Sequence, residues 1–145
     1  MDWNHDIIPA LLAIGCGAVI GLERQFKHKP AGLRTNIMIC LGAAVFTLIS
    51  ERMALDSHDS VTRIASGIVT GVGFLGAGAV IQDRGGIHGL TTAATIWLVA
   101  SIGMACGARL YYLAVITTFL ALVVLIGLGR VDKYLGHSDE QHKGH

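Results

Sequence analysis

Charge is scarce in this chain of 145 residues: Asp, Glu, Lys and Arg make up 14% of it, where a soluble domain carries about 25%. Too few ionic groups exist to cover a water-facing surface, while 52% of residues are hydrophobic and the mean hydropathy is +0.59. Proline is nearly absent at 2 residues, and the 19 glycines follow no three-residue period, which excludes collagen and disordered low-complexity sequence. Cysteine is limited to Cys16, Cys40 and Cys106, each inside an apolar run. An odd number so placed reads as small packing residues, not a disulfide framework or a metal site.

Other absences narrow the function. No Lys or Arg precedes the first apolar run, so "MDWNHD" does not open a secretory signal, and Ala13-Ile14-Gly15-Cys16 fails as a lipoprotein cleavage site for the same reason. Basic residues are too few and too scattered for nucleic acid. There is no nucleophile–base pairing, no Cys/His cluster with metal spacing and no Walker-type loop. Catalytic residues, metal ligands and cofactors are therefore not expected, and His137, His142 and His145 read as part of a solvated tail.

What the chain does have is five apolar stretches free of Asp, Glu, Lys and Arg: Ile7–Leu22, Ile37–Ser50, Ile64–Ile81, Leu90–Cys106 and Leu110–Leu128. A bilayer crossing takes roughly 17–25 residues, so the shorter runs draw on their flanks. The expectation is an all-α membrane protein, a bundle of five transmembrane helices in residues 1–130, followed by a short polar cytoplasmic tail at 131–145. Eight of the eleven Lys and Arg fall in the first and third connections and the tail, which places the N-terminus outside and the C-terminus in the cytoplasm.

Gly71-Val72-Gly73-Phe74-Leu75-Gly76 spells G-x-G-x-x-G, but both flanks are apolar and helix-length, and no acid follows Asp83 before Asp132. A dinucleotide turn needs a strand before it and an acid about 20 residues on. On a helical projection Gly67, Gly71 and Gly78 form one stripe and Gly73 and Gly76 belong to a second small-residue side, with Ile64, Ile68, Val72 and Leu75 on a bulky third. Small sides let helices approach closely in lipid, so the glycines read as packing residues and the bulky stripe as lipid-facing. A broken helix exposing carbonyls is the alternative. On the second helix Asn36, Cys40, Ala43 and Thr47 share one face, whereas the fifth is bulky nearly all round, as a peripheral helix would be.

Charged groups gather at the helix ends. Glu23 and Arg24 close the first helix and Arg34 and Asn36 open the second; Asp83 and Arg84 close the third and Thr92 opens the fourth. They read either as interface anchors or as a cytoplasmic network in which Glu23 pairs with Arg34 or Arg84, and Asp83 with Arg24 or Arg34. "PAGLRTN" and "RGGIHGLTT" echo each other, which suggests two helical hairpins built alike.

At "GLERQ", "AGLRTN", "GFLGAGAVI" and "GLTTAATIW" the chain resembles the MgtC/SapB family of bacterial inner-membrane proteins, over Gly21 to about Gly107. The resemblance marks Glu23, Arg24, Arg34, Asn36, Gly73, Gly76, Gly78, Gly89 and Thr92 as the family core. It implies a polytopic protein linked to growth at low magnesium and, in some pathogens, to survival inside host cells. It also implies action on other membrane proteins, the F-type ATP synthase among them, although members have been named magnesium transporters. Longer members carry a soluble domain after the last helix, which this chain does not include. The expected role is a regulatory or assembly partner in the inner membrane. The alternative is a small homo-oligomeric transporter or channel for Mg²⁺ or another ion.

Overall fold

The computed structural model describes residues 3–53, 58–83 and 86–140, with side chains over 6–53, 62–80 and 86–129. Five helices follow in order: α1 (Trp3–Phe26), α2 (Leu33–Met53), α3 (His58–Gly78), α4 (Leu90–Gly107) and α5 (Tyr111–Glu140). Each overruns its apolar stretch at one or both ends, because helix propagation continues through flanking polar residues that the interface tolerates. Four of them, α1, α2, α4 and α5, are long and apolar enough to cross a membrane.

One feature departs from the expected all-helical chain among the described residues. A short antiparallel hairpin, β1 (Ile81–Asp83) with β2 (Gly86–His88), joins α3 to α4, pairing Ile81 with His88 and Asp83 with Gly86. The turn signal "RGG" is there in the sequence, but three-residue strands are too short to show an alternating pattern. The last helix, α5, runs 30 residues to Glu140 and so includes most of the stretch expected to be the short polar tail.

The packing centres on α2, which lies between α1 and α4 and also touches α3, while α5 leans on α1 and α4 from outside. Its buried face is the expected one, Asn36, Cys40, Ala43 and Thr47, joined by Ala44, Leu48 and Ser50. Cys16, Cys40 and Cys106, one each from α1, α2 and α4, are free thiols buried in one core with Ala13, Ile20, Val99 and Ile102. Across α5 the side chains of Tyr112, Phe119, Val123 and Val124 are exposed, in keeping with a peripheral helix, and Thr118 Oγ1 donates 2.7 Å back to the Ala114 carbonyl.

Close helix approach is made by four glycines outside the expected stripe. A Cβ on Gly17 would stand 2.9 Å from the Asn36 carbonyl oxygen, and one on Gly21 would stand 2.8 Å from Leu33 Cα. On the other flank of α2, a Cβ on Gly103 would collide with the Cys40 carbonyl, and one on Gly107 would stand 2.5 Å from the Ala44 carbonyl. Gly17-x-x-x-Gly21 and Gly103-x-x-x-Gly107 thus let α1 and α4 bring backbone against the two sides of α2, the small-xxx-small contact of membrane helices.

On α3 the expected sides are exchanged. Around Gly67, Gly71, Gly73 and Gly78 an added Cβ would meet nothing within 4 Å, and only Gly76 reaches a neighbour, Ala93, at ordinary contact distance. The bulky stripe turns inward instead: Ile68 and Val72 are buried in a second core with Ala43, Ile96 and Ala100. The concave space between α2 and α4 is wide enough for branched side chains, and filling it gains more dispersion contact than a glycine face could.

Gly103→Ala should therefore destabilise the fold by ~1–3 kcal/mol through overpacking against α2, while Gly71→Leu should leave it unchanged. Thermal unfolding of the purified variants in one detergent checks this. A larger loss for Gly71→Leu than for Gly103→Ala would reverse the assignment.

Candidate functional site

The C-terminal end of α1, the start of α2 and the start of α4 meet at one end of the bundle, and their polar side chains form the candidate site. Arg24 is only 3% exposed, and its Nη2 donates 3.1 Å to Thr92 Oγ1 on α4. Its Nε is buried without a hydrogen-bond partner among the described residues. Next to it in sequence, Glu23 is ion-paired through Oε1 with Lys27 Nζ at 2.7 Å, one turn along the same helix, and its buried Oε2 has no described partner. Lys27 Nζ also donates 2.8 Å to the Leu125 carbonyl and so ties α1 to α5.

The α1–α2 connection is held by side chains acting on backbone. Gln25 Oε1 accepts from the Leu33 amide at 3.1 Å, satisfying one of the free N–H groups that open α2. That oxygen lies 2.5 Å from where a Cβ on Gly32 would stand, so a larger residue before α2 would displace the Gln25 side chain from the Leu33 amide. Asn36 is fully buried; its Nδ2 donates 2.8 Å to the carbonyls of both Ala31 and Gly32, while Oδ1 has no described partner. The α3–α4 connection repeats the device. Gly89, at φ 89, precedes α4 in the left-handed region, and a Cβ there would collide with the Ala79 carbonyl. The sequence echo thus corresponds to two glycines with one job, each letting a connecting segment press against a helix start.

The structure brings together some of the expected network. Glu23, Arg24, Asn36 and Thr92 gather at this end, but Glu23 pairs with Lys27 and not with Arg34, which is exposed. An i,i+4 partner needs no tertiary arrangement, which is why it wins. The side chain of Asp83 and the whole of Arg84 lie outside the described residues, so their expected pairings have no counterpart here. Lys27 is not among the expected site residues; the signal available for it was the i,i+4 spacing of Glu23 and Lys27 at a helix end.

The opposite end is built from balanced pairs. Arg52 at the end of α2 pairs with Asp6 at the start of α1. Arg109, at φ 59 just after α4, pairs with Glu51 at 2.6 Å. Both pairs cross between helices, and both are partly exposed, so each contributes little to stability but closes the bundle at that level.

Four apolar spans, three of them packed through backbone contact, with the described ion pairs at the two ends and hydroxyls such as Thr95, Ser101 and Thr118 bonded back to their own helices between them, define a multi-helix membrane protein. The profile of the MgtC family matches residues 10–134, and the chain belongs to that family. It is 46% identical over 108 residues to Protein MgtC of Brucella abortus, covering 74% of this chain and 44% of that protein. It is 47% identical over 121 residues to Putative magnesium transporter YhiD of Escherichia coli K12, covering 79% of this chain and 56% of that one. Protein SrpB of Synechococcus elongatus is 39% identical over 144 residues, 91% of this chain and 79% of its own length. The chain thus spans about half the length of several relatives it matches. No solved structure matches it.

Thr92→Val removes the one described acceptor of a buried guanidinium and should cost ~1–3 kcal/mol. Arg34→Gln, at an exposed position, should stay within about 0.5 kcal/mol. Melting curves of the two variants in detergent separate a working Arg24–Thr92 contact from a network centred on Arg34.

Proposed function

We propose that this protein is a regulatory or assembly partner in the bacterial inner membrane, acting in adaptation to low magnesium and related virulence stress by contact with other membrane proteins, not by catalysis. The observation that carries this reading is the interior itself. Between α1, α2 and α4 the space is filled with Ala, Cys, Ile and Val, and backbone meets backbone at Gly17, Gly21, Gly103 and Gly107. A hydrated ion entering that core would lose its water and find few oxygens in return. The described ion pairs lie at the two ends of the bundle. Family relationship supports the link to magnesium, since one relative bears the name of a magnesium transporter. The F-type ATP synthase is a candidate partner on the same ground.

The membrane arrangement we infer has five crossings, α3 among them, with the N-terminus outside and the C-terminus in the cytoplasm. Two things support it. The end holding Arg24, Lys27, Lys29 and Arg34 carries an excess of cations over Glu23, whereas at the other end two of the three described arginines, Arg52 and Arg109, are matched by Asp6 and Glu51 and Arg63 is left over. In addition, α3 continues 15 residues past Arg63 with no charged residue, to Gly78. The second reading, an ion transporter or channel made of several copies, is favoured by one observation only: α3 leaves an open groove against α2 that another chain could help to line.

Liposomes containing the protein alone should show no saturable Mg²⁺ entry above empty vesicles; robust saturable flux would replace the regulatory reading with the transporter. A C-terminal GFP fusion should fluoresce and a C-terminal alkaline phosphatase fusion should be inactive. For α3, Thr62→Cys should react with an impermeant thiol reagent on intact spheroplasts and His88→Cys only after lysis. Labelling of both, or of neither, in intact cells would remove the α3 crossing.

A further inference from the structure

Between α2 and α3 runs a groove of about 900 Å³, walled by Met38, Ile39, Phe46, Ile64, Ile68 and Leu75 and floored in part by bare backbone. At Gly42, Gly67 and Gly71, all three lining it, an added Cβ would meet nothing within 4 Å, so the chain itself does not fill the space. Its rim is open, with Met38 67%, Phe46 56% and Leu75 53% exposed. Among the described residues only one charged side chain lines it, Arg63, at one end.

Arg63 is the odd cation at its end of the bundle. Arg52 and Arg109 are each paired with a carboxylate, whereas Arg63 is exposed and has no such partner among the described residues. An arginine at a membrane boundary is stabilised by an anion, and its planar fork suits phosphate oxygens. From Arg63 to Leu75 the groove follows α3 for roughly 18 Å at ~1.5 Å per residue. That is close to half of a ~30 Å hydrocarbon core, the depth reached by the acyl chains of one leaflet.

We propose that this groove is a binding site for an anionic phospholipid, with an acyl chain lying along Gly67 and Gly71 and the phosphate paired with Arg63. The inference rests on α3 lying in the bilayer. Apolar walls and glycine floor offer dispersion contacts along the whole chain, and the single cation at the boundary selects the headgroup, as basic pockets between membrane helices do. A second copy of the protein fits less well. A two-fold contact through this groove would bring two Arg63 side chains to the same depth, with no carboxylate lining the groove to offset them. A second helix would also extend past Leu75 into the neighbouring cavity of about 480 Å³, which Gly78 lines.

The test is native mass spectrometry of the protein in detergent, titrated with phosphatidylglycerol and with zwitterionic phosphatidylcholine of the same chains. Phosphatidylglycerol should bind in preference; Arg63→Gln should weaken it about fivefold and abolish the preference, and Arg63→Lys should keep most of it. Gly67→Leu and Gly71→Leu should lower binding of both lipids, and Gly78→Leu neither. Thermal unfolding of each variant without lipid confirms that the fold is intact. Equal binding of both lipids by the unaltered protein, or undiminished phosphatidylglycerol binding by Arg63→Gln, would overturn the proposal. So would a lipid-independent dimer that Gly71→Leu and Gly78→Leu both dissociate, which identifies the occupant as a second copy. The Thr62→Cys and His88→Cys labelling reads the α3 crossing without lipid, so failure of that crossing is distinguishable from failure of the lipid site.

Discussion

Everything else in this structure depends on how closely α1 and α4 can approach α2. In lipid, apolar side chains gain nothing by leaving one hydrocarbon environment for another, so helices are held by contact density. Gly17 and Gly21 on one side, and Gly103 and Gly107 on the other, remove the side chains that would keep the backbones apart. The carbonyls of Asn36, Cys40 and Ala44 then sit against α1 or α4. Three helices become one unit with a dry core of Ala, Cys, Ile and Val, and α3 and α5 are added to it from outside.

That close approach also sets the polar end. Because α1 and α4 both press on α2, Arg24 and Thr92, 68 residues apart in the chain, come within hydrogen-bonding distance. Arg24 is then buried where an unpaired charge would be costly, so its contact with Thr92 stabilises the arrangement. Gly32 and Gly89 play the matching part in the connections, admitting Gln25 Oε1 and the Ala79 carbonyl against the starts of α2 and α4. Among the described residues, buried polar atoms without a hydrogen-bond partner remain at this end, Arg24 Nε, Glu23 Oε2 and Asn36 Oδ1, and at the other, Asp6 Oδ1 and Ser50 Oγ.

The outer helices show the other consequence of a membrane solvent. α5 exposes large apolar side chains along its length, and α3 exposes glycines. In water the first would drive aggregation and the second would waste surface. In a bilayer the first is ordinary, and the second leaves a shaped recess beside Arg63, the site proposed for lipid.

Much was legible in the sequence because it depends on local composition alone. The apolar runs and the missing charges marked the helices, since the cost of a charge in hydrocarbon is paid residue by residue. The buried face of α2 and the peripheral character of α5 followed from helical period, and the gathering of Glu23, Arg24, Asn36 and Thr92 followed from their places at helix ends. Which glycines make contact was decided only by tertiary structure. The stripe on α3 and the pairs on α1 and α4 look alike on a helical projection, and a small residue has no chemistry that names its neighbour. Contact depends on whether another backbone lies opposite, and here Ile68 and Val72 were needed to fill the wider gap beside α3, turning its glycines outward. The partner of Glu23, by contrast, was local: Lys27 stands four residues on, a spacing present in the sequence, while Arg34 is exposed.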